Sequence, residues 1–180
     1  MRYIALLRGI NVGGKSLIKM ATLKDCIEQL GFTQVRTYIN SGNVIFECPA
    51  KPAEELAAII EQAIETTFGI AVRVVVIDEP TYRTMVEKVP AGWGEKLGWK
   101  YNTLFLIPPY NIAGIVADIG ELKPDIEIMT VGDGVIYQAV EFSSFGRATT
   151  GKLASRQSYQ KMTVRNWNTT KKLLALLDQV

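Results

Sequence analysis

The stretch VRTYINSGNVIFE, residues 35–47, decides how this chain folds. Two runs rich in β-branched and aromatic residues, VRTYI and NVIFE, flank Asn40, Ser41 and Gly42. That pattern predicts a tight antiparallel hairpin, because serine and glycine relieve the strained backbone of the turn. Upstream, the compact apolar run RYIALLR (residues 2–8) reads as a strand, and residues 9–15 form a glycine-rich turn. Met20, Leu23, Ile27 and Leu30 then recur at helical spacing, and Gly31 supplies a stop. Downstream, Pro52 opens a second helix whose Leu56, Ile59, Ile60, Ala63 and Ile64 make an apolar stripe ending before Gly69. AVRVVVID (residues 71–78) is a further strand. The order strand-helix-strand-strand-helix-strand is the split βαβ, or ferredoxin-like, unit, predicted here over residues 1–78.

The order then recurs in outline. Pro80 starts a connecting helix with Tyr82, Met85, Val86 and Val89, and PAGWGEKLGWKYN reads as a linker or long loop. Strand TLFLI, a helix from about Asn111 to Ile119 and strand IEIMTV follow. A turn at residues 132–134, strand VIYQAV, a helix near Lys152 to Lys161 and the short strand TVRN complete the set. Trp167, Thr170, Leu174 and Leu177 fall on one face of a closing helix, with Asn166 or Asn168 as its N-cap. The predicted class is α+β: two tandem ferredoxin-like (βαββαβ, α/β-plait) units with antiparallel sheets and a C-terminal helix. The expected boundaries are 1–78 for the first unit, 79–102 for the connecting helix and linker, and 103–180 for the second unit with its terminal helix. In the first half, Tyr3, Ala5 and Leu7 alternate with the equally apolar Ile4 and Leu6, so both sheet faces need cover.

One motif points elsewhere. GINVGGKS, residues 9–16, satisfies G-x-x-x-x-G-K-[ST] through Gly9, Gly14, Lys15 and Ser16, the pattern of a nucleotide-binding P-loop. Asp78 at the end of an apolar strand stands where a magnesium-holding acid would sit. Yet nucleoside triphosphatases of that type use mainly parallel sheets built from βαβ crossovers, and this chain follows its first helix with an antiparallel hairpin. Asp78 is more simply the N-cap of the helix that Pro80 opens. A P-loop nucleotide triphosphatase is therefore the least favoured reading.

Bulk properties prune the rest. Of 180 residues, 48 % are apolar and 21 % charged, which is globular rather than disordered composition. The net charge of +2 is too small to imply nucleic acid by itself, although it leaves room for a local basic patch. There is no histidine, which removes Ser-His-Asp and Cys-His nucleophile systems and histidine-ligated metals. Cys26 and Cys48 make no disulfide framework and read as reduced, partly buried thiols. No apolar run approaches the length of a membrane span, and MRYIALLRGI lacks the features of a signal peptide, so a cytoplasmic protein is expected.

Three quoted segments carry a resemblance. ALLRGINVGGKSLIKM, LGFTQVRTYINSGNVIF and TVRNWNT followed by a lysine-leucine helix, in that order, resemble the bacterial family called domain of unknown function 1697. The resemblance runs from the first strand to the last helix. It implies two ferredoxin-like units in tandem and implies no reaction, since the family has no established activity.

Candidate sites follow from residue chemistry. Arg8, Asn11, Gly13, Gly14 and Lys15 would hold a phosphate or carboxylate with turn N–H groups and flanking cations, unless the glycines only permit positive φ and Asn11 bonds the turn itself. Ser41 and Asn43, beside Asn40 and Gly42, are either further ligand contacts or simply what a hairpin tip needs. Arg165 and Asn166, with Trp167, Asn168 and Thr169, are a helix cap or a second anion-binding surface. Phe142, Phe145, Arg147 and Lys152 lie in a polar stretch suited to a connection or to a phosphate-contacting loop. Trp93 and Trp99 are packing anchors, or stack on a base or sugar. No metal site and no cofactor are expected. The leading function is a binding or regulatory module for a small anionic ligand, a nucleotide, phosphate or nucleic acid, with no membrane partner. RNA binding on the sheet itself is poorly supported, because only Tyr3 and Phe46 could stack bases there. The alternative is an enzyme on a small phosphorylated or carboxylated substrate, with Lys15 or Arg165 as electrostatic stabiliser.

Overall fold

The computed structural model describes residues 1–14 and 16–179. The fold is mixed α+β, with two four-stranded antiparallel sheets and a C-terminal helix. The chain divides into two compact units, Met1–Arg83 with Leu173–Val180, and Thr84–Lys172.

The first unit runs β1 (Arg2–Leu7), α1 (Met20–Glu28), β2 (Thr33–Tyr38), β3 (Asn43–Glu47), α2 (Ala53–Phe68) and β4 (Val74–Asp78). Its sheet order is β2-β3-β1-β4, and every neighbouring pair is antiparallel. The hairpin over residues 35–47 is therefore present, and it registers Ile4 of β1 against Ile45 on one side and Ile77 on the other. Tyr3, Ala5, Leu7, Val44, Phe46, Val74 and Val76 pack with Leu23 and Ile27 of α1 and Leu56, Ile60 and Ile64 of α2. Phe46 stacks on Tyr3 and on Phe32, with ring centroids 5.6 and 4.7 Å apart. Each such side chain contributes about 1.5–3 kcal/mol on burial. The opposite face (Ile4, Leu6, Ile45, Val75 and Ile77) is buried as well, so the alternating apolar pattern of both faces is used.

Local signals explain the ends of these elements. Gly69 closes α2 in the left-handed region at φ 65°. Gly42 has φ 74°, and a Cβ there would stand 2.7 Å from Leu7 Cβ and 2.9 Å from Ile10 Cδ1. The turn glycine is thus fixed twice, by backbone conformation and by the close approach of β1. Asp78 accepts from Thr81 N and from Thr81 Oγ1, both at 2.9 Å, which makes it the N-cap of α3 (Glu79–Glu87). The last turn of the chain is tied back to the first strand. Arg2 donates to Glu47 Oε1 at 3.0 Å and to the Leu177 carbonyl at 2.9 Å, and Arg83 pairs with Asp178.

The second unit holds β5 (Trp99–Leu106), α4 (Ile112–Ile119), β6 (Glu127–Val131), β7 (Val135–Glu141), β8 (Met162–Asn166) and the start of α5 (Trp167–Leu177). Its sheet order is β6-β7-β5-β8. Leu104, Leu106, Ile136 and Met162 pack against Ile115, Ile119 and Leu153. Two sequence expectations are corrected here. β5 begins at Trp99 rather than Thr103, because Trp99 to Asn102 continue the ladder to β7. The helix expected near residues 152–161 is a pair of 3₁₀ segments, Thr150–Ser155 and Gln157–Lys161, separated by Arg156 at ψ 148°. Gly151 lies so close to Phe145 that a Cβ there would stand 1.9 Å from its carbonyl oxygen, so the turn requires glycine.

Glu127 anchors this irregular segment. Its buried carboxylate accepts from Lys123 N (2.8 Å), Thr149 N (2.9 Å), Thr150 N (2.8 Å) and Thr150 Oγ1 (2.7 Å). Burial alone would push the carboxyl up, but the bonds from Thr150, Lys123 and Thr149 together outweigh it and hold it below the ordinary carboxylate range. Among the described residues, no helix is long and apolar enough to cross a membrane.

Candidate functional site

The glycine-rich turn after β1 is a built loop rather than slack chain. Gly9, Asn11, Gly13, Gly14 and Ser16 all have positive φ, between 50° and 74°. Five residues between positions 9 and 16 thus take the left-handed backbone that favours glycine. Asn11 fixes the loop from within. Its Nδ2 donates to the Ile18 carbonyl (3.0 Å) and the Asn40 carbonyl (2.8 Å), its Oδ1 accepts from Ile18 N (2.8 Å), and its own N–H donates to the Ser16 carbonyl (3.1 Å). One asparagine therefore joins the loop to the tip of the β2–β3 hairpin. Asn43 does the same within the hairpin: buried, it donates to the Tyr38 carbonyl at 2.9 Å and to Ser41 Oγ at 3.0 Å.

The space over the loop is open. A Cβ added at Gly9, Gly13 or Gly14 would meet nothing within 4 Å, so crowding does not demand these glycines, whereas at Gly42 it does. Among the described residues, no acceptor pairs with the N–H of Gly13 or Gly14. Val12 and Leu17 are 64 % and 70 % exposed beside Ile39 at 49 %. Ile39 has φ 48°, a strained conformation for a β-branched residue, at the tip that Asn11 grips. Arg8 borders the loop, half-buried, with its N–H on the Arg73 carbonyl at 2.9 Å. Lys15 lies outside the described residues.

Two features separate this loop from a P-loop cradle. β1 has only antiparallel neighbours, and α1 starts at Met20 after an extended Lys19 at ψ 130°. The N–H groups of the turn are therefore not continued by the first turn of a helix. The acid that would hold magnesium, Asp78, is spent on capping α3.

The remaining predicted residues belong to the second unit. Arg165 is buried and its Nη1 donates to Thr163 Oγ1 and the Val164 carbonyl, both at 2.9 Å. Asn166 is the N-cap of α5, accepting from Thr169 N at 2.8 Å. The stretch read as a linker is pinned in place. Trp93 packs edge-on against Tyr101 and Tyr137, and Lys96 N donates to the Tyr101 hydroxyl at 3.1 Å. Gly94 rests so close to Trp167 that a Cβ would stand 2.9 Å from the indole ring. Trp99, Tyr101, Asn102 and Asn168 meet Asn166 and Trp167 around a cleft of about 490 Å³. Tyr101 and Asn102 carried no signal in the sequence, because the cleft forms only when residues 94–102 and 166–168 fold together. Among the described residues, no group of three or more His, Cys, Asp or Glu could hold a metal ion. Cys26 and Cys48 are free and buried, and burial pushes the Cys48 thiol up.

Comparison with known proteins gives relatives but no activity. The solved structure of conserved bacterial protein SP0830 from Streptococcus pneumoniae is similar over 98 % of this chain and 98 % of its own, at 27 % identity and a TM-score of 0.87. Among curated proteins, no match is found. The family described as protein of unknown function (DUF1697) matches residues 1–137, and this chain belongs to that family.

Proposed function

We propose that the protein is a binding or regulatory module for a small anionic ligand, held by the backbone of the loop Gly9–Ser16 with Arg8 and Lys15 as flanking cations. The observation that carries this reading is the loop itself: five positive-φ residues pinned by Asn11, with open space above Gly13 and Gly14. Strain at Ile39 beside it supports the same place, since strained backbone persists where a function fixes it. Ser41 and Asn43 serve the site by holding the hairpin tip that Asn11 grips. The two units are tandem ferredoxin-like repeats in this reading, because β5–β8 repeat the sheet order of β1–β4, with 3₁₀ turns in place of the second unit's second helix. An experimental structure with a different strand order in residues 99–166 would remove that part.

A thermal-shift screen tests the ligand. Phosphate, pyrophosphate, nucleotides and phosphosugars are compared on the wild type and on Lys15→Ala. A ligand at 100 times its Kd stabilises by about 2.7 kcal/mol, which is roughly 10–20 °C for a unit of this size. The shift is expected to fall in Lys15→Ala. If no anion raises Tm, the reading is wrong.

A further inference from the structure

The second unit contains a cleft whose chemistry differs from that of the loop. β8 pairs with β5 only from Asn102 to Leu106, whereas β5 starts at Trp99. Among the described residues, no strand pairs with Trp99 to Tyr101 on the β8 side, and the cleft lies against that edge. Its volume of about 490 Å³ falls within the usual 300–1,000 Å³ of small-molecule sites. The lining includes Trp99, Tyr101 and Trp167, the side-chain amides of Asn102 and Asn168, one cation in Lys100, and no carboxylate.

Lysines lie over several aromatic rings around it, with Glu141 as the cross-strand partner of Trp99. Lys96 Nζ sits 4.4 Å from the centre of the Trp99 ring, and Lys171 Nζ sits 5.8 Å from that of Trp167. Lys100 Nζ lies 4.3 Å from Phe142 and 5.2 Å from Phe145, two phenylalanines that are 59 % and 40 % exposed. Within the cleft, the half-buried Trp99 ring beside Lys100 is a stacking surface with charge for a phosphate. Asn102 Nδ2 is held by Gln138 Oε1 at 2.8 Å, so the Asn168 amide and the strand edge offer the donors and acceptors for the polar rim of a base.

We propose that this cleft binds a nucleotide unit, with the base on Trp99 and the phosphate at Lys100, the cation of its lining. Lys96, whose Nζ covers the Trp99 ring, gives way as the base arrives. An extended peptide fits less well, because the open edge is only Trp99 to Tyr101 before β8 closes it. All residues that line this cleft belong to the second unit.

Tryptophan fluorescence tests the proposal on the full chain, since Trp93, Trp99 and Trp167 all belong to the second unit. AMP, UMP, an oligouridylate, an oligothymidylate and polyglutamate are titrated at fixed ionic strength. Saturable quenching by the mononucleotides and by the strands alike identifies a free nucleotide as sufficient. Quenching by the strands alone identifies a residue of a single strand, and both outcomes support the site. Trp99→Leu is expected to weaken binding about 5- to 150-fold, the loss of one stacked base, while Trp99→Phe retains most of it. Lys100→Ala, an exposed substitution that leaves the core untouched, weakens binding and flattens its salt dependence. No quenching by any nucleotide, equal or tighter binding of polyglutamate, or affinity indifferent to Trp99→Leu and Lys100→Ala would each overturn the proposal.

Discussion

Replacing Glu127 by glutamine removes one charge and no volume, so it isolates what the buried carboxylate does. Oε1 accepts from Lys123 N and Thr149 N, and Oε2 from Thr150 N and Thr150 Oγ1. Glutamine turns one of these acceptors into an NH₂ facing two donors. The Thr150 hydroxyl can rotate its hydrogen away, but Thr150 N–H cannot, and a buried donor without a partner costs about 1–3 kcal/mol. The bonds kept at the remaining oxygen fall from charge-assisted to neutral, roughly halving each. Loss of the buried charge's desolvation penalty offsets part of this. The net expectation is about 2–4 kcal/mol, or a drop in Tm of roughly 8 °C or more for a unit of this size. Urea unfolding followed by tryptophan fluorescence reads the effect directly, because all three tryptophans lie in the same unit as Glu127.

The pH dependence has a fixed sign. Hydrogen bonding outweighs burial and depresses the folded pKa of Glu127, so its contribution is fully present above the unfolded value near about 4.3. It is lost as pH falls through the folded value. The gap between wild type and Glu127→Gln is therefore full at neutral pH and narrows in acid below about pH 4. A gap under about 0.5 kcal/mol at pH 7, well below the cost of one unpartnered donor, or one that widens in acid, would refute the reasoning.

Further outcomes follow from the same geometry. Asn11→Gly keeps the positive φ but removes three side-chain bonds; it should cost about 2–3 kcal/mol and expose the Ile18 amide to rapid hydrogen exchange. Gly42→Ala places a methyl group 2.7 Å from Leu7 Cβ and should cost about 3 kcal/mol or more in urea unfolding. Gly13→Ala, with nothing within 4 Å, should cost only the left-handed penalty of about 1–2 kcal/mol. Asp78→Ala should lose about 1 kcal/mol of capping, restored by Asp78→Asn and unaffected by magnesium in the same melts.

Legibility in the sequence tracked the range of the interactions. Residues 35–47 announce the hairpin because the turn and its flanking strands are contiguous, and Gly31, Gly69 and Asp78 end or start helices through local backbone rules. The helix expected near residues 152–161 failed because its course is set by Glu127, more than twenty residues earlier, and by Gly151 pressed on Phe145. The linker reading missed the start of β5, since the glycines and tryptophans of residues 92–99 look irregular until Trp93 and Gly94 meet Tyr137 and Trp167. At the loop, residue types named the candidates. The division of labour required coordinates: Asn11 and Asn43 hold the backbone, and Arg165 is buried among its own strand's acceptors.

The claim that Gly9–Ser16 presents backbone amides to an anion is tested most directly by ¹⁵N-correlated spectra of the full chain titrated with pyrophosphate. Glycine amides and tryptophan indoles both resolve well there, so the loop and the cleft are read in one experiment. The account predicts saturable shifts at Gly13 and Gly14, weakened in Lys15→Ala, with the Trp99 and Trp167 indole signals unmoved. Unchanged Gly13 and Gly14 signals, or shifts spread over exposed lysines without saturation, would contradict it.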